Sequence, residues 1–143
     1  MSFQMYVPTR ILFGEGQLEG LHKQKLPGKK AMIVISNGKS TKRNGALEKT
    51  EKELKLAGAE TVLFDKIMPN PLKQTVMEGA AFAKENHCDF IVALGGGSVM
   101  DASKAIAAMA ANDGDLWDYI SGGTGKGLPL MNEPLPVIAI TTT

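Results

Sequence analysis

The chain has 143 residues, a length that suits one domain with a buried core. Its 43% hydrophobic and 22% charged residues are typical of a globular protein, and a formal net charge of +1 gives no basic field for binding nucleic acid or a membrane surface. The chain opens without the basic and apolar regions of a signal peptide, has no apolar run near the roughly 20 residues of a membrane span, and contains one cysteine, so we expect a cytoplasmic protein.

The first elements differ from the rest of the chain. Two short apolar runs, Tyr6-Val7 before Pro8 and Ile11-Leu12-Phe13 before Gly14, predict an N-terminal edge hairpin, and residues 17–25 predict a short helix. Residues 31–36, AMIVIS, form a continuous apolar run rich in β-branched side chains, which is typical of a strand that is covered on both faces.

Strands and helices then alternate. Residues 44–57 carry one apolar stripe among charged side chains and predict a helix that Gly58 ends. A strand over residues 60–64 follows, and the sequence Pro69-Asn70-Pro71 predicts a helix with Asn70 as its N-cap.

The last part of the chain repeats this alternation. Residues 89–94, DFIVAL, predict a third buried strand, residues 98–111 an alanine-rich helix, and residues 135–140, LPVIAI, a fourth buried strand. The alternation predicts an α/β fold: a doubly wound, mostly parallel, Rossmann-like sheet with helices on both faces. In such a sheet the loops after all strands emerge at one edge, where open α/β sheets bind ligands.

Three consecutive glycines lie at that edge, at positions 95–97, between the third strand and its helix. Gly97 and Ser98 begin the helix, where free N–H groups and the helix dipole favour an anion, and Gly95 and Gly96 remove side chains that would obstruct a phosphate. Alternatively, Ser98 and Asp101 have the spacing of a capping box and would then cap only the helix itself. The convergence of the other loops on the same edge favours phosphate binding.

Two common nucleotide-binding fingerprints are absent. G-x-G-x-x-G fails because Met100 stands where its third glycine belongs. Gly38-Lys39-Ser40 has the tail of a Walker A motif, but Ile33 stands in place of its first glycine. The chain therefore has neither an ordinary Rossmann signature nor a P-loop.

The segments GGGSVMDASKA, DFIVAL, MPNP and PVIAITTT together resemble the nucleotide-binding half of the iron-containing (group III) alcohol dehydrogenases, and the resemblance extends back to VPTRILFGEG. It implies hydride transfer between NAD(P) and a small alcohol or aldehyde, with a divalent metal polarising the substrate oxygen. On this basis residues 1–143 form a dinucleotide-binding domain, and the helical domain that carries the family's metal ligands is absent from the chain. We therefore expect no catalytic or metal-binding residue here, and an isolated chain that is inactive.

The resemblance also implies a set of cofactor-binding residues. The glycine loop would hold the diphosphate, Asp101 would lie beside the cofactor, Asn70 would approach its adenosine side, and the terminal threonines would reach toward the nicotinamide. The full set is Gly38, Lys39, Ser40, Asn70, Gly95, Gly96, Gly97, Ser98, Asp101, Thr142 and Thr143.

The choice between NADP and NAD depends on the residues after the first strand. Family members that prefer NAD tend to have an acidic residue there, whereas this chain has Ser36, Asn37 and Gly38. The nearby cations Lys39, Lys42 and Arg43 suit a 2′-phosphate, so we expect NADP rather than NAD.

Two other interpretations stay open from the residues alone. The chain could be a free-standing, doubly wound module that binds a phosphate-bearing ligand without redox chemistry, or a structural domain whose glycine loop is only a turn. The first interpretation, a dehydrogenase cofactor domain, predicts a dinucleotide as partner, neither nucleic acid nor membrane, and leaves homo-oligomer formation open.

Overall fold

The computed structural model describes residues 1–142 and contains one four-stranded sheet. The strands are β1 (Lys30–Ser36), β2 (Glu60–Ile67), β3 (Phe90–Gly95) and β4 (Val137–Thr141). Their order across the sheet is β2-β1-β3-β4, and every neighbouring pair is parallel. Because the chain starts in the middle of the sheet and adds strands on both sides, the predicted doubly wound α/β fold is confirmed.

Helices connect the strands. A 3₁₀ helix (Gln17–Lys23) precedes β1, and five α-helices follow: α1 (Ser40–Arg43), α2 (Ala46–Leu56), α3 (Lys73–Glu85), α4 (Gly97–Ala111) and α5 (Leu116–Tyr119). Gly58 adopts a φ of +87° directly after α2, which confirms its predicted role in ending that helix.

The core has two layers, one on each face of the sheet. Along β1, Met32 and Val34 pack against α3 and α4, whereas Ile33 and Ile35 pack against α2 and the 3₁₀ helix. This alternation follows from the two-residue period of a strand, and it requires apolar residues at every position of the central strands. The continuous apolar runs of β1 and β3 are therefore buried on both faces, as predicted.

β4 differs from the predicted fourth buried strand. Its residues are partly or fully exposed because it forms the edge of the sheet and pairs only with β3. An apolar run indicates the capacity for burial, but the extent of burial depends on the neighbours that the chain provides.

The predicted N-terminal edge hairpin is wrong. Residues 1–16 contain no strand, and large apolar side chains in this segment, including Phe3, Tyr6 and Phe13, are exposed. The strand tendency of such residues depends on packing against neighbouring strands, and this segment pairs with none of the four.

The predicted N-cap at Asn70 is also wrong. Helix α3 begins at Lys73 with Leu72 as its N-cap, and Asn70 adopts a left-handed φ of +54°. Asparagine tolerates the left-handed region better than most residues with a side chain, but a residue with that backbone conformation does not have the extended angles of an N-cap. The helix thus begins two residues after the predicted first helical position, residue 71.

Candidate functional site

A cleft of about 310 Å³ lies at the carboxyl ends of the strands. The segments that follow β1, β2, β3 and β4 all contribute to its wall, so the predicted convergence of loops is confirmed. The lining residues are Ser36, Ser40, Thr41, Ile67, Met68, Pro69, Gly95, Gly96, Gly97, Ser98, Val99 and Thr142.

The three consecutive glycines differ in how much space their surroundings leave for a side chain. A Cβ atom at Gly95 would lie 2.8 Å from Cγ2 of Val99, so the packing of β3 against α4 excludes a side chain there. At Gly97 a Cβ atom would have no heavy atom within 4 Å, and at Gly96 it would only reach the Thr142 carbonyl oxygen, at 4.0 Å. Packing therefore favours glycine at the first position, whereas the second and third leave open space beside the helix start.

That helix start has no side-chain cap. Gly96 is the N-cap of α4, and no side chain accepts a hydrogen bond from the first turn. The first N–H groups of a helix have no partner within the helix, and the helix dipole adds positive potential at this end. The beginning of α4 can therefore bind an anion through backbone groups that the cleft exposes.

The capping-box alternative is wrong. Asp101 is 79% exposed, and its closest cationic atom is Nζ of Lys104, at 3.9 Å. It neither caps α4 nor lines the cleft, although Ser98, its predicted partner in the box, does line it.

On the β1 side, the cleft wall consists largely of hydroxyl-bearing residues. Ser36, Ser40 and Thr41 line it, whereas the predicted residues Gly38 and Lys39 lie in the same loop outside the wall. Thr41 is 3% exposed, and its hydroxyl oxygen has no hydrogen-bond partner within residues 1–142. No sequence motif marks Thr41, which lies in the short helix α1, as a residue of the cleft.

On the β2 side, Met68 and Pro69 line the cleft and Asn70 does not. The loop that contains them follows β2, as expected, but the left-handed backbone of Asn70 lies beyond the wall. On the β4 side, Thr142 lines the cleft, and its N–H donates a hydrogen bond of 3.0 Å to the Gly95 carbonyl. Thr143, the last predicted residue, lies outside the described residues.

The cations after β1 are not equivalent. Lys42 forms a 2.7 Å salt bridge with Asp65 of β2, and this hydrogen bond lowers the pKa of the Asp65 carboxyl below its ordinary value. Lys39 and Arg43 are exposed and form no salt bridge with any other residue in the range 1–142. Two of the three cations therefore remain available to an anionic ligand.

No metal-binding cluster accompanies the cleft in the part of the chain that the structure describes. Within residues 1–142, no three His, Cys, Asp or Glu side chains lie close enough together to hold a metal ion. In the same range, every helix is too short or too polar to cross a membrane.

Comparisons with known proteins identify the family of the chain. The family model described as iron-containing alcohol dehydrogenase matches residues 8–143. The chain belongs to this family, as the glycine loop and its flanking segments predicted.

Relatives with a stated activity support the assignment. The chain is 44% identical over 121 residues to a probable NADH-dependent butanol dehydrogenase 2 of Bacillus subtilis, covering 84% of the chain and 31% of that protein. It is 36% identical over 149 residues to 1,3-propanediol dehydrogenase of Citrobacter freundii, covering all of the chain and 37% of that protein. The chain thus spans about a third of the length of these relatives.

The structural comparison gives the same result. The crystal structure of NADH-dependent butanol dehydrogenase A from Thermotoga maritima superposes with a TM-score of 0.87 at 31% sequence identity. The match covers 99% of this chain and 34% of that one. The four-stranded sheet and its helices are therefore the fold of one part of a larger family architecture.

Proposed function

We propose that this chain is the NAD(P)-binding portion of a metal-dependent alcohol dehydrogenase that transfers hydride between NAD(P)(H) and a small alcohol or aldehyde. The observation that carries the proposal is the uncapped start of α4, which opens into the cleft beside Gly96 and Gly97. A dinucleotide diphosphate is an anion of the kind that such a helix start binds. The names of the relatives, butanol and propanediol dehydrogenases, support the substrate class.

We propose one orientation for the dinucleotide in the cleft, the one that the family resemblance implies. The glycine loop follows β3, with β1 and β2 on one side of it and β4 on the other. With the diphosphate on Gly96, Gly97 and Ser98, the adenosine half would lie over the β1 side, near Gly38, Lys39 and Ser40. The nicotinamide half would then lie toward Thr142 and Thr143.

Asn70 and Asp101 have less direct roles in this proposal. Both lie outside the wall of the cleft, so they would contact only the parts of a cofactor that extend beyond it. Asn70 would then be near the adenosine, and Asp101 beside the diphosphate.

The bound nicotinamide supplies or accepts the hydride, and this chain's residues bind and orient the cofactor. Polarisation of the substrate oxygen needs a Lewis acid or a proton donor, and no metal-binding cluster lies among residues 1–142. We therefore propose that the metal and most of the substrate pocket belong to the rest of a longer protein, and that this chain alone is inactive. We also propose that it acts in the cytoplasm.

For the cofactor, we propose NADP in preference to NAD. The residues directly after β1 carry no carboxylate that could bind a ribose 2′-hydroxyl, and Lys39 and Arg43 are free of salt bridges within residues 1–142. The butanol dehydrogenase relatives are named NADH-dependent, so the preference for NADP rests on this chain's own residues.

Calorimetric titration of the chain with NADPH, NADH and ADP-ribose tests the proposal. We expect all three to bind, NADPH most tightly, with dissociation constants above roughly 10 μM because few charge-assisted bonds offset the lost freedom of the ligand. An assay of alcohol oxidation with the same protein should give no turnover. Absence of binding by every one of the three ligands would contradict the proposed function.

A further inference from the structure

Thr41 is a buried residue that the fold itself does not satisfy. It is the second residue of α1 and is 3% exposed, yet its hydroxyl oxygen has no hydrogen-bond partner within residues 1–142. A threonine in a helix commonly bonds to the carbonyl oxygen four residues earlier, and Thr50 of α2 does so with Ala46 at 2.8 Å. The residue four positions before Thr41 is Asn37, which precedes α1, and the Thr41 hydroxyl has no such bond.

An unsatisfied buried hydroxyl destabilises a folded protein, because it loses its bonds to water without replacement. Valine has nearly the same shape and would fill the same space without this cost. The Ser103 hydroxyl in α4 is equally unsatisfied, so what distinguishes Thr41 is that it also lines the cleft.

The position of Thr41 indicates where a partner for its hydroxyl would bind. Thr41 lines the cleft together with Ser36 and Ser40, on the β1 side of the glycine loop. A rotation about its Cα–Cβ bond exchanges the hydroxyl with the methyl group, and both rotamers are common for threonine in helices. The Oγ1 atom is itself buried, so a bond to a ligand in the cleft requires such a rotation.

We infer that the Thr41 hydroxyl forms a hydrogen bond with the adenosine-side ribose of the bound dinucleotide, and so helps to hold that half of the cofactor. This inference rests on the proposed function, which places the diphosphate on the glycine loop. A ribose hydroxyl both donates and accepts hydrogen bonds, so it satisfies the threonine hydroxyl in either direction. Thr41 is a binding residue in this arrangement and takes no part in hydride transfer.

The test compares Thr41→Val, which removes the hydroxyl, with Thr41→Ser, which keeps it. Ser103→Ala is the matched control, because Ser103 is fully buried in α4, has an equally unsatisfied hydroxyl, and does not line the cleft. Each variant of the 143-residue chain is titrated with NADPH, NADH and ADP-ribose, and its thermal unfolding is recorded without ligand.

We expect Thr41→Val to bind all three ligands roughly three- to tenfold more weakly, as the loss of one hydrogen bond predicts. Its melting temperature without ligand should be equal to or above that of the unmodified chain, since no bond within the protein is lost. Thr41→Ser should bind within about twofold of the unmodified chain, and Ser103→Ala should leave all affinities unchanged.

The outcomes separate this inference from the proposed function. If the unmodified chain binds none of the ligands, the proposed function fails. If it binds them and Thr41→Val binds equally well, only the role of Thr41 is overturned. A loss confined to NADPH would also overturn it, because the contact would then be with the 2′-phosphate. A lower melting temperature in Thr41→Val with unchanged affinity would show a purely structural hydroxyl.

Discussion

Gly95, the last residue of β3, lies directly against Val99 in the first turn of α4, so closely that a Cβ atom at Gly95 would be 2.8 Å from Cγ2 and 3.0 Å from Cβ of the valine. Val99 is 3% exposed and packs in the core between α4 and the sheet. This contact lies at the sharp turn between β3 and α4, which places the beginning of α4 at the cleft. It also means that the glycine loop has one position set by packing and two that face open space.

The Gly95→Ala substitution should therefore destabilise the fold. The added methyl group meets a β-branched side chain that has little rotamer freedom in a helix, and overpacking of this kind typically costs about 1–3 kcal/mol. Urea denaturation followed by circular dichroism measures the change in the free energy of unfolding. An unchanged free energy would show that α4 shifts without cost, and the packing argument would be wrong.

The Gly97→Ala substitution should leave the fold stable and weaken dinucleotide binding. No heavy atom lies within 4 Å of the added methyl group, and alanine favours a helical conformation over glycine, so stability should be maintained or rise by up to about 1 kcal/mol. Dinucleotide binding should weaken by about tenfold or more, because the methyl group occupies space beside the anion site. Calorimetry with NADPH, together with urea denaturation of the same sample, measures both effects.

The matched control for Gly97→Ala is Gly20→Ala. Gly20 also has no heavy atom within 4 Å of an added Cβ, and it lies in the 3₁₀ helix, outside the cleft wall. Gly20→Ala should bind NADPH as the unmodified chain does. Undiminished binding in Gly97→Ala would contradict the proposed position of the diphosphate.

The sheet and its ligand edge were predictable because their signals are local and strong. β1 and β3 are continuous apolar runs. Few protein architectures accommodate such runs in alternation with helical segments. The glycine loop was predictable for the same reason, since its position between strand and helix is visible in the sequence. Most of the cleft follows from these two features.

The predictions from sequence failed where the local structure depends on other parts of the chain. The N-terminal segment has the composition of strands, but Phe3 and Phe13 find no neighbouring strand in the described residues and stay exposed. At Asn70, the cap preference of asparagine and the preference of proline for the first helical position both predicted a helix start at residue 71, but these local preferences did not determine the start, and α3 begins at Lys73. Thr41 could not be found from sequence, because an unsatisfied hydroxyl is visible only when its surroundings are known.

The proposed preference for NADP over NAD should depend on Lys39. This exposed residue precedes α1 and has no salt bridge within residues 1–142, so its ammonium group is available to a 2′-phosphate. Lys39→Gln should weaken NADPH binding by about tenfold or more at low salt and change NADH binding little, because hydrogen bonds to charged groups contribute about 1.5–3 kcal/mol and each 1.4 kcal/mol is about tenfold in affinity. Titrations at two salt concentrations measure the effect and its electrostatic origin.

Lys55→Gln is the control for this prediction. Lys55 is also exposed, but it lies in the last turn of α2, away from the cleft wall. Lys55→Gln removes one positive charge, as Lys39→Gln does. A loss of NADPH affinity in Lys39→Gln alone therefore indicates a local contact and not the change in net charge. Equal losses for NADPH and NADH in Lys39→Gln would contradict a contact with the 2′-phosphate.

Glu53 connects α2 to the segment before β1. Its Oε2 atom accepts a hydrogen bond of 3.0 Å from the His22 N–H, and the same oxygen lies within hydrogen-bond distance of Nδ1 in the His22 ring. These two bonds lower the pKa of the Glu53 carboxyl below its ordinary value of 4.5, with the backbone bond as the larger cause. The ionised carboxylate thereby attaches the 3₁₀ helix to α2.

Glu53→Gln should consequently reduce stability in a pH-dependent way. An acid whose pKa is lowered by folding contributes stability that is fully present above pH 4.5, its ordinary value, and is lost as the pH falls through the lower folded-state pKa. The gap in the free energy of unfolding between the two proteins should be largest near pH 7 and should narrow below pH 4.5. Glu48→Gln, at an exposed position of the same helix, should show no such trend. Urea denaturation from pH 7 to about pH 3 measures the gap, and a gap that stays constant across this range would mean that the charge of Glu53 does not stabilise the fold.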